Sequence, residues 1–303
     1  MYGKALCIYH SADLDGYGSA AIVKKYFSES KEGWNLDLRG YNYGGKIPVV
    51  YDYDEIIVVD VSFPMETFQE WSSVGKKIIW IDHHKHAITE FEKLGKIDNL
   101  EPVLSTKFAA IELCWQYFFK TTTPKAVTFL GAYDSWREPG SDLWESFVLP
   151  FQYGMRSICN APEKFPDFLL KHVSDGEKKF KDIIDKGKII LSYQRASDKI
   201  LMRRAFKIDF EGYKTLVINA SGVNTLTFKA HRHYKKFQLF MAFNYNFKSG
   251  KFAVTIFTEN KFIDAVDIAK RYGGGGHQGA AGFLIETEEL LEIFKEQHDK
   301  IYY

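Results

Sequence analysis

Apolar residues along this chain fall into two patterns, and the change from one to the other divides it. In the first half they come as short unbroken runs, at residues 4–9 (KALCIY), 55–61 (EIIVVDV) and 77–81 (KIIWI). An unbroken run of β-formers suits a strand buried on both faces, as in a parallel sheet. Between and after these runs the spacing turns helical, at residues 19–27, 64–73, 107–119 and 124–134. Strands alternating with helices predict an α/β domain on a mainly parallel sheet. Residues 163–204 read as a long charged helix, with Gly176 and Gly187 as places where it would break. Past residue 200 strands are expected at 213–219, 237–247 and 251–258, with KSGK at 248–251 as a hairpin turn. A helix at 264–272, a glycine-rich loop at 273–283 and a last helix from about 288 follow. The expected organisation is an α/β domain over 1–175, a helical linker over 176–204 and a smaller α+β domain over 205–303.

Composition narrows the class without naming a function. A chain of 303 residues, 46% hydrophobic and 26% charged, has material for two ordinary cores. Its net charge of +1 argues against a protein that coats long nucleic acid, and leaves room for a local basic patch. The aromatic share of 16% is read as core rather than as base-stacking surface. Cys7, Cys114 and Cys159 lie far apart with no CxxC spacing, which argues against a disulfide framework or a thiolate zinc site. With no signal-peptide pattern and no membrane-spanning run, a cytoplasmic protein without a membrane partner is expected.

The polar residues at the strand ends change the picture. His10, Asp13 and Asp15 follow the first run, Asp60 ends the second, and Asp82, His83 and His84 end the third. Asp134 closes a helical stretch in FLGAYDSW. In open parallel sheets ligands bind beyond the carboxyl ends of the strands. Taken singly, each residue has a plain structural reading: Asp15-Gly16 as a turn, Asp60 beside a helix cap, a histidine as a satisfied core residue. Together they would crowd negative charge, at roughly 4 kcal/mol per pair 4 Å apart for an effective dielectric of 20. Cations between them would relieve that repulsion. Oxygen and imidazole donors without thiolate suit Mn²⁺, Mg²⁺, Zn²⁺ or Fe²⁺.

These residues resemble the signature of the DHH phosphoesterase family. The resemblance rests on HSADLDG (10–16), VVDVS (58–62), IDHHK (81–85) and GAYDSW (131–136). GGGGHQGAAGF (273–283) is similar to the signature of the DHH-associated C-terminal domain. His10 and Asp13 are three residues apart, where many relatives have four. The resemblance implies two divalent ions, Mn²⁺ with Mg²⁺ as the alternative. One would be held by His10, Asp13 and Asp60 and the other by Asp15, Asp60, His83 and Asp134. Water activated between the ions would attack phosphorus. Asp82 would orient a histidine, and His84 would face the substrate phosphate. The resemblance further implies a phosphodiesterase that cuts short single-stranded oligonucleotides to nucleoside 5′-monophosphates. Hydrolysis of 3′-phosphoadenosine 5′-phosphate or of cyclic dinucleotides is the alternative. A RecJ-type single-strand DNA exonuclease, expected to carry a further binding domain, a family II pyrophosphatase, which shares the metal domain but has a different C-terminal domain without GGGH, and a scaffold that has lost catalysis are the remaining rivals. A homodimer is compatible with either main reading.

Gly274, Gly275, Gly276 and His277 satisfy part of a GxGxxG spacing but follow a helix rather than a strand, which is weak as a dinucleotide fingerprint. Successive glycines let backbone N–H groups approach an anion, and the resemblance assigns this loop, with His277, to substrate. KAHRHYKK (229–236), which contains Arg232, is the densest basic cluster. Its plain reading is a solvated helix face; its functional one is a phosphate handle. Asn224, Lys261 and Arg271 are weaker candidates of the same kind.

Overall fold

The unbroken apolar runs are the inner strands of a parallel sheet. The structure is a computed structural model that describes residues 3–171 and 177–298. Its first half contains β1 (Lys4–His10), α1 (Leu14–Ser30), β2 (Asn35–Tyr41), β3 (Glu55–Val59), α2 (Met65–Ser73), β4 (Lys77–Asp82), α3 (Lys85–Leu94) and β5 (Leu100–Leu104). Then come α4 (Ala110–Phe119), α5 (Lys125–Asp134), α6 (Leu149–Arg156) and the long α7 (Glu177–Leu201). The strands are ordered β2-β1-β3-β4-β5, and every neighbouring pair is parallel.

Alternation within each run feeds two cores. Cys7, Ile57, Val59, Ile79 and Ile81 pack on one face with Ala20, Ile22, Ile111 and Val127 of α1, α4 and α5. Leu6, Ile8, Ile56, Val58, Ile78 and Trp80 pack on the other with Phe68 and Trp71 of α2 and Ala87 of α3. Each fully buried Ile contributes about 1.5–3 kcal/mol of transfer free energy. Trp80 also donates its indole N–H to the Val61 carbonyl at 3.1 Å, so its one polar atom is satisfied. The chain leaves β1 toward β2 on one side and reaches β3 on the other, so the strand order reverses between β1 and β3. That crevice is where open α/β sheets place their ligands.

The division into two compact units falls inside α7, after Leu191. Through Gly187 the helix is unbroken: a Cβ there would come within 1.7 Å of the Pro150 carbonyl oxygen, so glycine serves close helix packing rather than a break. Gly176 lies outside the described residues. The second unit contains β6 (Phe206–Phe210), β7 (Tyr213–Asn219), α8 (Thr225–Lys229), β8 (Leu239–Asn246), β9 (Lys251–Phe257), α9 (Ala265–Arg271), β10 (Gly275–His277), β11 (Ala280–Ile285) and α10 (Thr287–His298). Its strands form one mixed sheet, β10-β11-β9-β8-β7-β6, parallel only between β7 and β8. The glycine-rich stretch is therefore an edge hairpin, not a loop. Residues 229–236 are not one helix face either: α8 stops at Lys229, and a single 3₁₀ turn covers Tyr234–Lys236.

Candidate metal centre

Each candidate ligand is delivered by the end of a rigid element. Asp13 caps the N-terminus of α1, its Oδ1 accepting from the Gly16 N–H at 3.0 Å. At Gly16 a Cβ would sit 1.9 Å from the His10 carbonyl oxygen, so glycine alone lets α1 start against the end of β1. This brings His10 Nδ1 to 3.1 Å from Asp13 Oδ2 and 3.6 Å from Asp60 Oδ2. Asp60 follows β3 with φ of 58°, in the left-handed region, which costs about 1–3 kcal/mol outside glycine. Its backbone N–H still donates to the Ile81 carbonyl at 3.0 Å, so the ladder holds the residue in that conformation.

The second group forms around His83. Its Nε2 is 3.1 Å from Asp134 Oδ2, 3.4 Å from Asp60 Oδ1 and 3.6 Å from Asp15 Oδ2. Asp15 is buried and accepts from the N–H groups of Ala110 and Ile111 at 2.9 and 2.8 Å, at the positive end of α4. Asp134 ends α5, which lies close to α4 because Gly131 has no Cβ; one would reach 2.3 Å from Glu112 Oε2. Glu112 in turn accepts from Arg137 at 2.6 Å, fixing the turn beyond Asp134.

Two sets of three donors thus converge, His10–Asp13–Asp60 and Asp15–His83–Asp134, with donor atoms within 4.8 Å of one another in each set. Asp60 touches both. A third set, Asp60–His83–His84, overlaps them. The electrostatics fit cations. Burial, then Asp60 and Asp134, push the Asp15 carboxyl well above its ordinary value. Burial and Asp13 raise Asp60 likewise. Burial disfavours a charged His10, but Asp13 and Asp60 outweigh it and push the imidazole up to about 10. The bare cluster therefore holds itself together with protons, a job divalent ions do better. Asp60 Oδ2 is buried without a hydrogen-bond partner, as an oxygen kept for another ligand would be. Oxygen donors with two imidazoles and no thiolate suit a divalent ion, with Mn²⁺, Mg²⁺, Zn²⁺ and Fe²⁺ all compatible.

Asp82 is fully buried and accepts at one oxygen from the His83 N–H at 2.7 Å and from His84 Nδ1 at 2.5 Å. Burial would raise its carboxyl, but His84 overrides this and holds it low; His84 is raised in turn. His86 lies away from the cluster, exposed and 3.5 Å from Glu90. A neighbour the sequence patterns do not flag is Tyr43, whose ring centroid is 6.0 Å from that of His10 and 6.3 Å from that of His84. No periodicity marks it, since it lies between β2 and β3 in a stretch without regular structure.

The second unit holds the other expected contacts. Gly274 and Gly276 are pressed against β11: a Cβ would lie 2.1 Å from the Gly282 carbonyl oxygen at Gly274 and 2.6 Å from that of Ala280 at Gly276. These two glycines are thus demanded by strand packing, whereas nothing lies within 4 Å of a Cβ at Gly275. The backbone of His277 ends β10, and its side chain lies outside the described residues. Asn224 caps α8 through Oδ1, and Arg271 pairs with Glu211. Arg232 is exposed.

Comparison with known proteins bears on the fold. Residues 5–129 match the family described as DHH family, N-terminal domain. Oligoribonuclease NrnB of Bacillus subtilis is 24% identical over 311 residues, covering 95% of this chain and 74% of that protein. Among solved structures, the pGpG-specific phosphodiesterase PggH of Vibrio cholerae superposes with a TM-score of 0.54 at 14% identity, covering 98% of each chain. RecJ of Thermus thermophilus in complex with Mn²⁺ gives 0.53 at 15% identity, covering 98% of this chain and 51% of that one. The chain's likeness to the DHH family thus lies in residues 5–129, and members of that family are phosphoesterases.

Proposed function

We propose that this protein is a two-metal phosphodiesterase that cleaves short single-stranded oligonucleotides to nucleoside 5′-monophosphates. The observation that carries the reading is the meeting of His10, Asp13, Asp15, Asp60, His83 and Asp134 around one buried carboxylate at the strand-order switch. The names of the two relatives, an oligoribonuclease and a pGpG-specific phosphodiesterase, support a short nucleotide substrate. Bound at the two donor sets, Mn²⁺ or Mg²⁺ would supply the Lewis acidity that activates water and offsets phosphate charge.

The chain's own residues do the rest. Asp60 belongs to the first set and lies 3.4 Å from His83 of the second, so one side chain ties their spacing. Asp82 accepts the Nδ1 proton of His84 and favours its imidazolium, whose positive charge would offset the charge that builds on a phosphate oxygen. In this reading Asp82 positions and His84 touches substrate. On the second unit, Gly274, Gly275, Gly276 and His277 of the edge hairpin are proposed substrate contacts, and Arg232, in the groove at the opposite β6 edge, is proposed as a separate phosphate contact.

The test is a parallel assay of the Mn²⁺-loaded protein on a dinucleotide, oligomers of about 5 and about 12 nucleotides, 3′-phosphoadenosine 5′-phosphate and a cyclic dinucleotide. Fastest turnover on the linear di- to pentanucleotides is expected, with Asp60→Asn at least about 10³-fold slower. Preference for 3′-phosphoadenosine 5′-phosphate or the cyclic compound would replace the substrate. Undiminished turnover in Asp60→Asn would remove the two-metal site.

A further inference from the structure

The second unit carries a groove of about 1000 Å³ at the β6 edge of its sheet, the edge opposite the glycine hairpin. Its origin is the alternation of β6. Ile208 and Phe210 point into one core, while Lys207 and Asp209 lie on the other face. That other face is covered further in by α8, through Phe228 on Leu216 and Ile218, and its margin at β6 is left open. Three segments wall the margin. Lys199, Arg203 and Arg204 come from the end of α7 and the turn after it, Lys207 and Lys214 from β6 and β7, and Arg232 and Lys236 from the segment before β8. All seven are exposed, and Asp209 is the one carboxylate lining the groove. Among the described residues, none of the seven has an ion pair. In a chain of net charge +1 this is a local concentration of positive charge, with three guanidinium forks suited to phosphate.

Rings lie among the cations. His231 is 6.1 Å from His233 and 5.9 Å from Phe237, centroid to centroid, and all three line the groove. Desolvation and the surrounding Arg232 and Lys207 hold both imidazoles below their ordinary value, so the groove is hostile to further positive charge. Cations tracking a backbone, interleaved with ring faces, make up the recognition surface for single-stranded nucleic acid. The volume exceeds what one phosphate needs and reaches the upper end of the roughly 300–1000 Å³ of small-ligand pockets.

We infer that this groove binds the sugar–phosphate backbone of a single-stranded oligonucleotide, at a site separate from the glycine hairpin. The chemistry shared by all candidate ligands is a linear chain of phosphates; the rings select nucleic acid over inorganic polyphosphate. The choice of nucleic acid also rests on the oligonucleotide reading of the first unit, so the experiment measures binding without turnover.

Binding of a 5′-fluorescein-labelled 12-mer of uridine is followed by anisotropy in EDTA, across a salt series, with full-length protein. The triple variant R203E/R204E/K207E should weaken binding at least about tenfold and reduce the slope of log K against log salt by about 2, three contacts at ~0.7 each. R203Q/R204Q, checked by thermal melting, covers the case in which the charge reversal disturbs the fold, and should weaken binding about threefold or more. Unchanged affinity in a folded R203Q/R204Q protein would overturn the site. Displacement by polyphosphate as effective as by unlabelled RNA of equal charge, or binding only to anionic phospholipid vesicles, would overturn the nucleic-acid assignment. Loss of hydrolysis with this binding intact would count against the catalytic reading and leave the groove standing.

Discussion

Tyr43, 54% exposed as a residue, sets its ring beside His10 and His84, where a nucleotide bound at the donor cluster would place its first base. Stacking on such a face contributes about 1–3 kcal/mol per base. Tyr43→Ala is expected to raise KM for a dinucleotide about tenfold while kcat changes less than about threefold. Tyr43→Phe should stay near wild type, because the hydroxyl's contacts with Ser62 are long, at 3.4 and 3.3 Å. A fall in kcat at unchanged KM would place the ring on the chemistry instead. The contrast with the donors explains what could be read from sequence at this scale. His10, Asp60, Asp82, His83 and Asp134 each sit where a periodic segment stops, so the pattern points at them. Tyr43 meets the same histidines only through the fold.

At the scale of elements, the strands that could not be read are instructive. β2, β5, β6 and β10 are the four edges of the two sheets. An edge strand is buried on one side at most, so it lacks the unbroken apolar run that marked β1, β3 and β4. β5 even carries Pro102, which a central strand excludes. β11, an inner strand, was hidden by Ala280, Ala281 and Gly282 at its start. Conversely α1 begins at Leu14, before residue 19 where the helical spacing starts, because the Asp13 cap and the Gly16 contact start it earlier. That contact gives a test. Gly16→Ala must shift α1 off the end of β1, and overpacking of this kind costs about 1–3 kcal/mol. We expect that loss in urea unfolding, and Mn²⁺ affinity reduced about 10–100-fold by titration calorimetry, since His10 and Asp13 move apart. Full metal affinity in a destabilised variant would separate the helix start from the site.

At the scale of the molecule, the two units differ in what holds them. The second has cores of ordinary apolar residues on both sheet faces. The first also carries its crowded carboxylates, so its stability should follow the metal. At Mn²⁺ about 100-fold above Kd, binding adds about 2.7 kcal/mol, or roughly 5–10 °C for a unit of this size. Calorimetry with and without EDTA should show that shift in one transition and leave the other in place; equal shifts in both would deny the difference. The net charge of +1 concealed the basic groove because acidic surface elsewhere cancels it, and only the fold gathers Arg203, Lys207 and Arg232. The staple between Asp15 and the start of α4 spans 95 residues of chain. Every donor in the cluster has nevertheless been synthesised once Asp134 has left the ribosome, before any strand of the second sheet exists. A nascent chain could therefore take up its ions at that moment, and the supply of metal during translation would decide how readily the first unit closes.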